Sequence, residues 1–132
     1  MTTVIGIDYG SKKIGFAIGQ LVTGTAQPLT VIRQNGAMWR QIDKLFAGWQ
    51  PEFVVVGKPE LADGKPHPLE KVIESFIFEL KTRYNAKVFR INEAYTSFEA
   101  YQYQDGQYNN KQPLDAYAAA IMLESWMRTN GV

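Results

Sequence analysis

The apolar pattern of this chain changes period at Asn35-Gly36, and that change limits the folds open to it. Before it, three short apolar runs follow one another at hairpin spacing: Val4–Ile7, Ile14–Gly19 and Thr25–Arg33. Runs of this length, rich in β-branched residues and bounded by turn residues, read as strands, and the short gaps imply an antiparallel meander. Pro28 puts the third run at a sheet edge, because proline has no N–H to give to a ladder. After Asn35-Gly36, Met38, Ile42, Leu45, Phe46 and Trp49 recur at three- and four-residue steps, one face of a helix that Gln50-Pro51 ends. Phe53–Val56 is a fourth strand, closed by Gly57-Lys58-Pro59. Leu69, Val72, Ile73, Phe76, Ile77 and Leu80 mark a second helix, with Pro68 suited to its first turn. Lys87–Ile91 is a fifth strand.

The remainder is more polar. Thr96-Ser97-Phe98-Glu99 has the form of a capping box and predicts a short helix. Gln104 to Gln112 reads as a loop, and Pro113 opens a last helix that is rich in alanine and runs to about Arg128. The order βββαβαβαα predicts an α/β fold with a five-stranded mixed sheet flanked by helices. The first three strands are antiparallel, and the last two run parallel to the first through helical crossovers. No repeat or linker interrupts the 132 residues, so a single domain spanning 1–132 is expected.

Composition narrows the chemistry. Fourteen Lys+Arg against thirteen Asp+Glu leave a net charge of +1, so contact with nucleic acid must come from a local patch. The absence of cysteine removes disulfides, thiolate nucleophiles and Cys-ligated zinc. No apolar run approaches the ~20 residues of a membrane span and no leader is visible, so a cytoplasmic protein with no membrane partner is expected.

Asp8 stands where the first buried strand should still be apolar, followed by Tyr9-Gly10-Ser11. A carboxylate buried without a partner costs several kcal/mol, so such a group pairs, binds a metal or stays protonated. The alternative is a turn residue bonding the backbone two residues on. Glu93 falls just past the carboxyl end of the fifth strand, and open α/β sheets bind ligands at the carboxyl ends of their strands. Asp115, in the first turn of the last helix, shares a helix face with Ala118, Ala119 and Met122, which lets that helix lie close to the sheet. Three crowded carboxylates repel by about 4 kcal/mol per pair at ~4 Å and an effective dielectric of ~20. A hard divalent cation, Mg²⁺ or Mn²⁺, removes that penalty, and a pair of such ions is a standard device for phosphodiester cleavage. Lys12 and Lys13 beside Asp8, and Lys58 at the end of the fourth strand, are candidate phosphate contacts. His67 has no second histidine to share a metal and reads as a helix-start residue.

Four segments together resemble the YqgF, or RuvX-like, family. They are Asp8-Tyr9-Gly10-Ser11-Lys12-Lys13-Ile14-Gly15, Val55-Val56-Gly57-Lys58-Pro59, Asn92-Glu93-Ala94-Tyr95-Thr96-Ser97 and Asp115-Ala116-Tyr117-Ala118-Ala119. The resemblance spans nearly the whole chain in order. It implies a ribonuclease H-like fold and a metal-dependent nuclease with Asp8, Glu93 and Asp115 as its acidic triad. It also implies action on the 5′ end of precursor 16S ribosomal RNA, or alternatively on branched DNA as a Holliday junction resolvase. Where the family carries Asp and Arg around the glutamate, this chain has Asn92 and Ala94, which keeps a non-catalytic RNA-associated module as another alternative. An Asp-x-Gly-Ser turn after a first strand is also similar to the actin-like ATPases. Those proteins need two such domains, and Phe16-Ala17 occupies the place where a P-loop requires Lys-Ser/Thr.

Overall fold

The computed structural model describes residues 2–61, 63–92 and 114–130. Its elements are β1 (Thr3–Tyr9), β2 (Lys13–Gln20), β3 (Thr25–Arg33), α1 (Met38–Trp49), β4 (Phe53–Lys58), α2 (Glu70–Tyr84), β5 (Lys87–Asn92) and α3 (Leu114–Asn130). The strands form one sheet in the order β3-β2-β1-β4-β5. β2 pairs antiparallel with both β1 and β3, while β4 runs parallel to β1 and β5 parallel to β4. The expected mixed sheet is the one observed. The segment carrying Glu93, Ala94, the capping box, the polar loop and Pro113 lies outside the described residues.

Strand parity divides the core in two. Ile5, Ile7 and Tyr9 of β1, with Val54 and Val56 of β4, pack with Ile42 and Phe46 of α1 and Ile73, Phe76 and Leu80 of α2. Val4, Ala17 and Val55 face the other way, onto Ala119, Leu123, Trp126 and Met127 of α3. β1 and β4 are therefore covered on both faces, which is why they read as unbroken apolar runs rather than alternating ones. Each buried isoleucine or valine side chain stabilises the fold by roughly 1.5–3 kcal/mol. Val72 belongs to the expected α2 stripe but is exposed, because it lies a full ~100° around the helix from Ile73. Trp49, the last helical residue of α1, is exposed as well.

Local chemistry sets the element ends. Asn35 Oδ1 accepts the Ala37 N–H at 2.9 Å, an Asx-turn that starts α1. Gln50 closes that helix in the left-handed region at φ 46°, its N–H on the Phe46 carbonyl, and Pro51 prevents continuation. Pro28 sits on the edge strand at a bulge, where the register slips between Phe16 and Ala17. Glu124 of α3 accepts the Ala26 N–H of that edge strand at 3.0 Å. At the start of α2, His67 takes the Leu69 N–H on Nδ1 at 3.1 Å and the Glu70 N–H on its carbonyl at 2.9 Å. His67 is thus a helix-start residue, and Pro68 falls just before the helix rather than in its first turn. Among the described residues no helix is long and apolar enough to cross a membrane.

Candidate metal centre

Asp8 is a paired strand residue, not a turn residue: β1 continues through Tyr9, and Asp8 lies directly opposite Gly15 of β2. The strand extends that far because Tyr9 is a core residue, its ring 5.0 Å from Phe76. Since Ile5, Ile7 and Tyr9 face α1 and α2, Asp8 must leave the sheet on the face covered by α3. It is half-buried there.

The approach of α3 brings Asp115 to the same place. A Cβ on Gly15 would meet the Asp115 carbonyl oxygen at 2.3 Å, so the first turn of α3 rests directly on the bare backbone of β2. Gly6 and Gly19 continue this contact row, where a Cβ would lie 2.9 Å and 3.0 Å from Leu123. Asp8 and Asp115 are consequently both neighbours of Gly15, one across the β-ladder and one from above. Lys13 shares the parity of Gly15, and its Nζ lies 3.1 Å from Asp115 Oδ2. With Lys13 half-exposed and Asp115 nearly as open, this pair is worth only about 0.2–1 kcal/mol.

The turn between β1 and β2 is fixed by a residue that sequence reasoning passed over. Gln34, just past β3, donates its N–H to the Lys12 carbonyl at 2.9 Å and its side-chain amide to the Gly10 carbonyl. Its Oε1 accepts the Tyr9 hydroxyl at 3.2 Å, and the Gly10 N–H closes the turn on the Lys13 carbonyl at 3.1 Å. No local signal marks Gln34, because its partners are more than twenty residues away in the chain.

Asn92 ends β5 opposite Lys58, two strands from Asp8, and leads into Glu93, which lies outside the described residues. The structure therefore pairs Lys13 with Asp115 beside Gly15, the ladder partner of Asp8, with Lys12 exposed in the adjoining turn. Lys58 belongs to the same end of the sheet but to its other face. It shares the parity of Val54 and Val56, and its charge helps hold Glu70 of α2 below the usual carboxylate range. The main cause of that lowering is Arg90, which bonds both Glu70 oxygens at 2.8 Å and 3.1 Å and opposes the effect of burial. Arg90 also donates to the carbonyls of Val56 and Gly57, tying the carboxyl ends of β4 and β5 to the start of α2. The signal for Arg90 was a lone charge inside an otherwise apolar strand.

Asp8 and Asp115 both carry carboxylate oxygens, the donors that hard cations such as Mg²⁺ and Mn²⁺ take. Lys13 already places a positive group on one of them. The chemistry of these residues fits a divalent cation. Among the described residues no cluster of three His, Cys, Asp or Glu side chains is present.

The family model described as "RuvX: Holliday junction resolvase" matches residues 2–129. A Pseudomonas putida protein named "Putative pre-16S rRNA nuclease" is 41% identical over 135 residues, covering 96% of this chain and 95% of the relative. A Pseudomonas paraeruginosa protein of the same name is 39% identical over 130 residues, covering 94% of this chain and 90% of the relative. In three dimensions the chain is similar to T. thermophilus RuvC in complex with Holliday junction substrate, with a TM-score of 0.61 at 16% identity, covering 98% and 97% of the two chains. The Fowlpox virus resolvase bound to junction DNA gives the same TM-score and identity over 97% and 98%. These structural likenesses establish the ribonuclease H-like fold that the family resemblance implied. With a family match from residue 2 to residue 129 and relatives at about 40% identity over nearly their whole length, the chain belongs to the RuvX family.

Proposed function

We propose that this chain is a metal-dependent nuclease of the cytoplasm that cuts structured RNA at the 5′ end of precursor 16S ribosomal RNA. Asp8, Glu93 and Asp115 are its ligands for Mg²⁺ or Mn²⁺. The observation that carries this reading is that Asp8 lies opposite Gly15 in the ladder while the backbone of Asp115 rests on the same glycine. The names of the Pseudomonas relatives support the substrate. When bound, divalent ions supply an activated water and offset the charge that develops on the leaving oxygen. The chain's own contribution is positional. Asp8 is held by a strand paired on both sides, and Asp115 by a helix seated on backbone. Glu93 follows Asn92 at the end of β5. Lys12 and Lys13 offer point charges to the phosphates of the bound strand, whereas Lys58, on the other face of the sheet beside Glu70, stands apart from them.

The description of the family model favours one other substrate, a four-way DNA junction. A single experiment addresses both. Cleavage of a structured RNA carrying the 16S 5′ boundary and of a four-way DNA junction is followed with Mg²⁺, with Mn²⁺ and with chelator, for the wild type and Asp8→Asn. Metal-dependent RNA cleavage that Asp8→Asn abolishes, with its circular dichroism unchanged, is the expected result. Cleavage of the junction alone transfers the activity to DNA. Binding without cleavage supports a non-catalytic module, and cleavage that survives chelator or Asp8→Asn refutes the carboxylate site.

A further inference from the structure

We propose that Lys13 is a resident counter-cation of the carboxylate site, seated on Asp115 until a divalent cation binds and then released to a phosphate of the nucleic acid. The inference rests on the reading of Asp8 and Asp115 as metal ligands and adds to it what happens at the site before metal arrives. Asp8 and Asp115 are residues that both border Gly15, and like charges held in one neighbourhood repel each other. Lys13 relieves that repulsion from within the chain, its Nζ 3.1 Å from Asp115 Oδ2.

The backbone of Lys13 is not free to follow the charge. It is paired with Arg33 across the β2–β3 ladder, and its carbonyl closes the Gly10 turn that Gln34 grips from just past β3. Only the flexible four-carbon stem can move, and with it the ammonium. The half-exposed pair is too weak to lock the site, so an incoming dication displaces it at little cost. A lysine displaced from Asp115 stays tethered to the turn beside Asp8, where a phosphodiester lying against the metal would meet it. The site thus exchanges one cation for another and gains a phosphate contact in the same step. Lys12 is exposed in the adjoining turn.

Lys13→Met tests this by moving two readouts in opposite directions. Titration calorimetry with Mn²⁺ alone should show binding about two- to five-fold tighter than wild type, the equivalent of an exposed ion pair no longer competing. Fluorescence anisotropy of a labelled structured RNA in Ca²⁺ should show weaker binding, with a salt dependence shallower by about 0.7–0.9, the loss of one phosphate contact. Without divalent ion the two proteins should bind that RNA equally. Unchanged or weaker Mn²⁺ binding by Lys13→Met overturns the proposal, as does an RNA defect of equal size with and without Ca²⁺. Asp115→Asn is titrated in parallel. If it leaves Mn²⁺ affinity unchanged, the ligand assignment itself fails. If it abolishes Mn²⁺ binding while Lys13→Met has no effect, the counter-cation alone falls.

Discussion

Gly15→Ala should damage the site without removing any of its chemistry. The added methyl would stand 2.3 Å from the Asp115 carbonyl oxygen, 2.6 Å from its carbon and 3.1 Å from the Ala116 nitrogen. These are backbone atoms, so no side chain can swing aside, and an ordinary contact requires the start of α3 to retreat by about 1 Å. Overpacking of this kind costs about 1–3 kcal/mol of stability. A displacement of ~1 Å at a group that positions the reaction costs on the order of 100-fold in rate. Urea unfolding gives the first quantity. Cleavage rates at saturating Mn²⁺, at a temperature where the variant is fully folded, give the second. Gly48→Ala is the control, because a Cβ there meets nothing within 4 Å. A Gly15→Ala protein within about 0.5 kcal/mol and a few-fold of wild-type activity would refute the claim that α3 sits on bare backbone to deliver Asp115. Lost stability with full activity would mean that the helix end carries no functional carboxylate.

Arg90→Ala should cost about 2–3 kcal/mol, because it strips a largely buried Glu70 of its bidentate partner and two carbonyls of a donor. Glu70 is held below its usual 4.5, so the pair's contribution is complete above that pH and is lost as pH falls through the lowered value. Chemical denaturation from pH 7 to pH 3 should therefore show a steeper acid loss for wild type than for Arg90→Ala. Gly48→Ala, on the exposed side of α1, should raise stability by about 0.5–1 kcal/mol through helix propensity, read as a higher urea midpoint with unchanged slope.

The parts of the fold that the sequence disclosed are those governed by short-range pattern. Val4–Ile7 and Phe53–Val56 showed no alternation, and both prove to be central strands covered on two faces. Pro28 marked the edge, and Asn35-Gly36 marked the turn into α1. The seating of the start of α3 on Gly15, the ladder partner of Asp8, followed from topology and from the small residues along α3. The spacing Gly15-x-Ala17-x-Gly19 carried the complementary signal, small residues on one strand face for a helix to approach. The face of Lys58 was also legible, since it keeps the parity of Val54 and Val56. Gln34 was not, because its three partners come from a turn more than twenty residues upstream. Nor was the pairing of Lys13 with Asp115, which exists only once a hundred intervening residues have folded α3 back onto β2.

The most direct measurement is the anomalous scattering of crystals soaked in Mn²⁺, with Asp8→Asn crystals as the comparison. The account predicts a manganese peak within about 2.0–2.3 Å of carboxylate oxygens from both Asp8 and Asp115, and its loss in Asp8→Asn. A peak that touches neither carboxylate, or one that persists unchanged in Asp8→Asn, would contradict it.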